Sequence, residues 1–522
     1  MSGSLLESIP PEVLFSISDQ VDLDDRKNLS LVNSGLRSAI VPYLFKVLRV
    51  NCPVIEDNII PTIVDKYGAY VLELRLNVTF YPNEIEEQDA TEDDVEEEEE
   101  DESNEGDDGD GDKASDMNVS KSGQENDDES KHNSEAEAET SENENEESGE
   151  SDSESDSSRA WYWTNPPTSV WARKEADISI VHDLIRLTAL PRCKTLTLYT
   201  NGEEDFEVEA DWDDNDIGNN SIYFCCEPED WDEVQTKEKR YPWRAALRDM
   251  YHDIATLSPV DDLKLLNFLP RKTSFWQKHE WAVYLGRLKK LTLHTYGADN
   301  GAGWSANTLP GFNGFFNDLP DTMLVHANNL EYLEIKADEF GFLGGSGSLF
   351  LAPNSLPALR VLHVHGIAVT SVLTDFLQEV YGKLSEIHIT ACVALDLDTN
   401  GAQQPRWAEL WKAVRQAIKA PAEITCIPIK DQPITEAEDY HYGDDPYIPP
   451  DDEEEKIKRF RKRVKEEEDF CLWPYACQDE KYGSIYADYE RNLERLETEE
   501  DNLEFKLLAE EVRRGGGSCN VS

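Results

Sequence analysis

His363, His365 and His388 carry the side chains whose type and spacing come nearest to ligand chemistry in this sequence. His363 and His365 flank Val364 at a spacing of two, so on a strand they share one face. His388 takes the place on a later apolar run that His363 takes on its own, and His294 likewise corresponds to His365. Neighbouring strands lie about 4.8 Å apart, which brings two imidazoles into chelating range. The sequence marks no Cys, Asp or Glu as a third ligand, so His363, His365 and His388 are read as surface residues contacting a protein substrate, with no metal and no cofactor. There is no G-x-S-x-G, H-E-x-x-H or Walker pattern. Paired carboxylates do not stand out in so acidic a chain, and the chain is expected not to be an enzyme.

The elements that must position these histidines are short apolar runs of the form L-x-x-L-x-L. They read Cys193/Leu196/Leu198, Leu263/Leu266/Phe268, Leu288/Leu291/Leu293, Leu330/Leu333/Ile335, Leu359/Leu362/Val364 and Leu384/Ile387/Ile389, with Val71/Leu74/Leu76 as an earlier copy. The intervals 263 to 288, 330 to 359 and 359 to 384 fall in the range of about 20 to 29 residues of leucine-rich repeats, which the pattern resembles. Helices are expected between copies, at Tyr241 to Leu257, Gln277 to Leu288 and Ser371 to Leu384. The fold class expected is α/β, an irregular leucine-rich-repeat-like solenoid with parallel strands. The L-x-L leucines point inward and the residues between them face the concave binding side. Gly341 to Gly347 is glycine-rich but lacks the Lys of a phosphate loop and is read as a connection between repeats.

The chain of 522 residues is 39% hydrophobic, enough for two or three domains with a true core. Its net charge of -60 is concentrated, with roughly half between Glu84 and Asp156. Such a tract disfavours direct binding to nucleic acid or anionic membrane and favours basic partners such as histone tails or ribosomal proteins. Residues 84–158 have too little apolar surface to offset the entropy of ordering and are expected to be disordered. Serines followed by acidic residues at Ser151 to Asp156 resemble targets of acid-directed kinases, with a solvated spacer as the plainer reading. None of the nine cysteines forms a C-x-x-C pair, the start from Met1 to Pro11 lacks a signal pattern, and no long apolar run is present. An intracellular, reducing compartment is expected, cytoplasmic or nuclear. Trp212 and Trp231, each flanked by Asp, suit either a basic ligand or the anchoring of a loop. The basic run Lys456 to Lys465 reads as a nuclear signal or as a helix with intrachain ion pairs, because acidic residues flank it. Residues 431–522 are expected to be an extended linker and a peripheral, charged helical tail.

At the N-terminus, Ile9-Pro10-Pro11-Glu12 precedes a helix in which Val13, Leu14, Ile17 and Val21 share a face. Asp22 to Asp25 can cap a second helix, with Leu29, Val32 and Leu36 on one stripe, and a third follows from about Ser38 to Leu48. Three short helices bury little surface alone, so an apolar face is left to dock on another protein.

This stretch, Ile9 to Arg49, resembles an F-box of the fungal type. The family's Leu-Pro-x-Glu is matched by Ile9-Pro10-Pro11-Glu12, and its second part by Leu29-Ser30-Leu31-Val32-Asn33 and Leu36-Arg37. Arg26-Lys27 stands where the family is usually apolar. The resemblance implies binding to a Skp-type adaptor and, through it, to a cullin scaffold, a RING subunit and a ubiquitin-conjugating enzyme. It implies that Pro10, Leu14, Ile17 and Val32 line or support the adaptor contact. The chain would then be a non-catalytic substrate receptor. The organisation expected is an F-box at 1–50, a linker with a first strand at 51–83, the acidic insertion at 84–158, the repeat domain at 159–430 and the tail at 431–522. A different reading is an acidic scaffold or chaperone for basic proteins such as histones, acting outside ubiquitination.

Overall fold

The computed structural model describes residues 13–14, 17, 20–21, 23–52, 59–79, 175–201, 222–300, 302–345, 349–352, 355–395, 397, 401–428, 441–442, 445–446, 451–467, 470–479 and 481–521. The chain divides into two units, Met1–Glu84 with Asn165–Ser522, and Ile85–Thr164. The second unit lies wholly outside the described residues, as do the whole acidic insertion expected at 84–158 and Trp161, Trp163, Trp171 and Trp212.

The first unit is α/β. Its largest feature is a ten-stranded sheet built from β1 (Val47–Cys52), β2 (Glu73–Thr79), β3 (Thr195–Asn201), β4 (Asp262–Phe268), β5 (Lys290–Thr295), β6 (Tyr332–Lys336), β7 (Val361–His365), β9 (Leu384–Thr390), β11 (Ile418–Ile427) and β16 (Ser518–Val521). These strands lie side by side in chain order, and every pairing is parallel. A second sheet joins β8 (Ala368–Val369), β10 (Val393–Leu395), β14 (Tyr475–Gln478) and β15 (Ile485–Ala487), and β12 (His441–Tyr442) pairs with β13 (Asp445–Pro446).

Helices fill the chain between strands. The first two are α1 (Leu23–Val32) and α2 (Ser34–Leu44) ahead of β1, followed by α3 (Ile59–Tyr67) and α4 (Glu175–Ile185). Next come α5 (Trp231–Arg240), α6 (Pro242–Leu257), α7 (His279–Arg287), α8 (Pro310–Thr322), α9 (Ser371–Glu379) and α10 (Trp407–Ala417). The last three are α11 (Asp451–Glu466), α12 (Tyr489–Thr498) and α13 (Glu500–Arg514). In α6, Pro242 opens the helix, and Leu247, Met250, Tyr251 and Ile254 recur every three or four residues to form a buried face. Among the described residues no helix is long and apolar enough to cross a membrane.

Strand alternation sets the core. One row across the sheet runs Leu48, Leu74, Leu196, Leu263, Leu291, Leu333, Leu362, Ile387, Ile424 and Cys519, each opposite the next. A second inward row contains Val50, Leu76, Leu198, Leu265, Leu293, Ile335, Val364, Ile389 and Cys426. Both rows join one core with helix residues such as Ile254, Leu285, Phe316, Phe376 and Trp411. Burying each such side chain contributes about 1.5–3 kcal/mol, so the ladder is a principal source of stability. Of the residues between the two rows, Arg75, Lys264, Glu334, His363 and His388 are half-buried, while Thr197 and Thr292 are buried. Most all-parallel sheets are covered on both faces, whereas here one face carries polar side chains in contact with solvent.

The leucine pattern needs one correction. On β4 the inward residues are Leu263 and Leu265, preceded by buried Val260, so the copy reads Val260/Leu263/Leu265 and not Leu263/Leu266/Phe268. The cause is local: Asn267 has φ 50° and the register shifts between Leu265 and Phe268, which turns Phe268 inward as well.

The tail is not peripheral. Trp473, Tyr475, Phe505, Leu508 and Val512 lie in the main core, and β16 completes the large sheet. The basic run also packs: Ile457 and Phe460 on α11 are buried against Phe470, Leu472, Leu493 and Leu496. Its Lys456 pairs with Glu497 at 3.2 Å and its Arg463 with Glu467 at 2.8 Å.

Candidate functional site

The polar face of the large sheet carries two groups of polar contacts. Near its N-terminal end, Glu73 accepts from Thr197 at 2.8 Å and from Lys264 at 2.9 Å, while Arg75 lies 4.1 Å over the ring of Tyr199. From β5 to β9 the contacts become imidazole, phenol and carboxylate. His294 Nε2 is 3.1 Å from Glu334 Oε1, and the Tyr332 hydroxyl donates to Glu334 Oε2 at 2.6 Å. The same hydroxyl is 3.1 Å from His363 Nδ1, and His363 Nε2 is 3.1 Å from Glu386 Oε1. His388 Nε2 comes within 3.0 Å of that oxygen from the other side.

Register explains the cluster. His363 on β7 pairs directly with His388 on β9, and their rings stack with centroids 3.9 Å apart. Glu386 is opposite Val361 and two residues before His388, so it shares their face. His365 lies one row further along, opposite Lys336 and Thr390. Of the three histidines expected to act together, the fold therefore brings two into contact and adds Glu386. The alternation Glu386-Ile387-His388 was the available signal: on a strand it places carboxylate and imidazole on one face.

Electrostatics divide these groups. The hydrogen bond from His294, joined by that from Tyr332, holds Glu334 down at about 2 against the opposing effect of burial. Burial pushes His363 below its ordinary 6.5, outweighing the upward pull of Glu386, and the neighbouring His388 adds to the depression. Burial likewise lowers His365, with Lys336 and His294 acting in the same direction.

Both shifts destabilise the fold in acid. Glu334 contributes stability that is complete above its ordinary 4.5 and is lost as pH falls toward about 2. His363 resists charging in the folded state, so stability also declines as pH drops from 6.5 toward its lowered folded value. Replacing Glu334 by Gln should flatten the wild-type-minus-variant difference in unfolding free energy above pH 4.5 and let it shrink only below. Denaturant midpoints measured from pH 7 to pH 2.5 check this, and a difference constant throughout would contradict it.

The N-terminal helices hold the other expected site. Leu14 is 5% exposed and forms a small core with Leu36 and Ile40, flanked by Leu29, Ala39 and Leu44. Leu14 therefore supports this segment from within. Ile17 and Val32 are 39% and 59% exposed, and Val13 and Leu31 are also exposed. Pro10 lies outside the described residues. Asn33 caps α2 by accepting from the Leu36 amide at 2.8 Å, and the Arg26 guanidinium donates to the Val21 carbonyl at 3.0 Å.

Other residues singled out in the sequence have structural places. Lys272 lies 5.2 Å over the ring of Trp231, so the cation beside that indole comes from the chain itself. The nine cysteines are free, and burial pushes the thiols of Cys52 and Cys392 up to about 12, which makes them poor nucleophiles. No family model matches the chain, and no curated protein shows significant similarity to it.

Proposed function

We propose that this chain is the substrate-recognition subunit of an SCF-type ubiquitin ligase, in which the N-terminal helices bind a Skp-type adaptor and the sheet's polar face holds a protein substrate. The observation that carries the reading is the exposure of Ile17 and Val32 beside a small core that, among the described residues, is built on Leu14, Leu36 and Ile40. So small a helical core leaves apolar surface that a partner would cover. The ordered matches from Ile9 to Arg37 support the adaptor as that partner. The sheet is read in its finer detail as an irregular leucine-rich-repeat-like solenoid. Parallel strands in chain order and the aliphatic ladder from Leu48 to Cys519 support that reading.

In this reading the chain performs no chemistry. It brings a substrate to the transfer enzyme, raising the effective concentration of acceptor lysines. The acidic balance of the sequence favours a basic substrate. Co-purification with a Skp-type adaptor tests the proposal. Ile17→Asp and Val32→Asp, both at exposed positions, should reduce capture at least tenfold while leaving the melting temperature unchanged. Undiminished capture by the two variants would overturn the assignment. Leu14→Asp serves as the contrasting case, since a charge in that small core should unfold the segment and abolish capture by a different route.

A further inference from the structure

We propose that His363, Glu386 and His388 form a binding site for a divalent transition metal of the zinc type on the polar face of the sheet. One ligand atom from each lies within 4.8 Å of the others, which meets the distance requirement for a shared ion. Two imidazole nitrogens and one carboxylate oxygen are the donor set of three-ligand zinc sites, which leave a fourth position open.

Proton bookkeeping leads to the same conclusion. The single proton of the Tyr332 hydroxyl goes to Glu334 at 2.6 Å, so the phenol oxygen must accept from His363 Nδ1 at 3.1 Å. With its proton on Nδ1, a neutral His363 presents the bare lone pair of Nε2 to Glu386 Oε1 at 3.1 Å. His388 Nε2 is buried, and although it approaches the same oxygen to 3.0 Å it is not aligned for a hydrogen bond. On the His363 side a lone pair and a carboxylate oxygen thus face each other with no proton between them, an arrangement that a cation stabilises. Among the described residues, the groups pairing with the Glu386 carboxylate are these two histidines, with no lysine or arginine competing for it.

Supporting contacts are also in place. Metal-bound histidines usually donate their second ring N–H to a fixed acceptor, and Tyr332, held by Glu334, is that acceptor for His363. The rings stack with 19° between planes, and rotation of His388 about its soft terminal ring torsion would turn its Nε2 toward the same ion while His363 keeps its contact with Tyr332. The ion would bridge β7 and β9 and offer its free position to solvent on the exposed face. This site does not depend on adaptor docking.

The test uses the full chain, stripped with chelator and titrated with Co2+ at pH 7.5. The expected result is one tight equivalent per chain with the intense visible absorption of a low-coordinate ion, displaced by stoichiometric Zn2+. The acidic sequence will also bind Co2+, but weakly and with the faint spectrum of oxygen-only coordination. In the double variant His363→Gln/His388→Gln the intense band should vanish, with the melting temperature of the chelator-treated protein unchanged. Tyr332→Phe should keep the band and weaken affinity by about 10- to 100-fold, as removal of such supporting contacts does. Absence of the intense band in the wild type, or its survival in the double variant, would overturn the proposal.

Discussion

A chain ending at residue 428 is expected to be unfolded or insoluble, although every strand of the large sheet except the last would remain. The removed segment supplies Trp473, which packs against Trp407, Trp411 and Phe505 with ring centroids 5.4, 4.7 and 4.8 Å away. It supplies the Pro474 carbonyl that accepts from Trp407 Nε1 at 2.8 Å. Asp501 accepts from the Ala408 amide at the start of α10 and from the Tyr475 hydroxyl, at 2.8 and 2.9 Å. Without these groups α10 loses its cover and leaves two indoles in water. Each large apolar side chain so exposed costs about 1.5–3 kcal/mol, and several together rival the 5–15 kcal/mol that typically holds a domain. Soluble yield and far-UV circular dichroism of the truncated chain give the readout. The point variant Trp473→Ala should lose about 3–5 kcal/mol by denaturant titration. A truncated chain with the melting temperature of the full protein would refute the argument.

Arg244→Met should be the most damaging single change outside the apolar core. Arg244 and Glu229 are 2% and 5% exposed, and their charged atoms are 2.8 Å apart. Arg244 also donates to the Lys272 carbonyl at 2.7 Å, and Glu229 accepts from the Lys272 amide at 2.9 Å. The Lys272 ammonium donates to the Glu229 carbonyl and reaches Asp318 at 2.6 Å. Burial works to raise the Glu229 carboxyl, yet Arg244 and the hydrogen bonds around it hold it below its ordinary range. Removing the guanidinium takes the nearest cation from a buried anion and leaves it the more distant Lys237 at 3.9 Å, which costs about 3–5 kcal/mol. Adding Glu229→Met should restore part of that loss, because the stranded charge is then gone, although the Lys272 amide still lacks its acceptor. Denaturant unfolding of the two single variants and the double variant measures the coupling directly. Additive losses would show that the pair does not act as a unit.

The sequence revealed the strands better than their limits. Aliphatic residues two apart and flanked by polar residues identify β2, β3, β5, β6, β7 and β9, because a half-buried strand alternates. The phase failed at β4, where the turn at Asn267 breaks the alternation that the reading relied on. The strands β1, β11 and β16 were missed: β1 begins where a helix to Leu48 was expected, β11 is interrupted by Pro421, and Cys519/Val521 follows a glycine run. At the site, the pairing of His363 with His388 was legible from repeat position alone. Glu386 was not, because one more carboxylate carries little information in so acidic a chain until register shows which oxygens face the rings. The tail was misjudged on charge, although Phe505, Leu508 and Val512 mark a helical stripe that only a core could cover.

Strands that neighbour one another in both chain and sheet can assemble by short-range zipping, each new strand adding to a finished edge. Two junctions break that economy, β2 with β3 and β11 with β16. Leu74 meets Leu196 across β2 and β3 after an excursion about four times as long as that between Leu263 and Leu291 on β4 and β5. The cost of bringing two strands together rises with their separation along the chain, so this pairing is the least local of the ladder. The sheet therefore has a seam. The pairing of β1 and β2 with the eight strands from β3 onward is expected to form late in folding and to part early when the protein is heated or pulled.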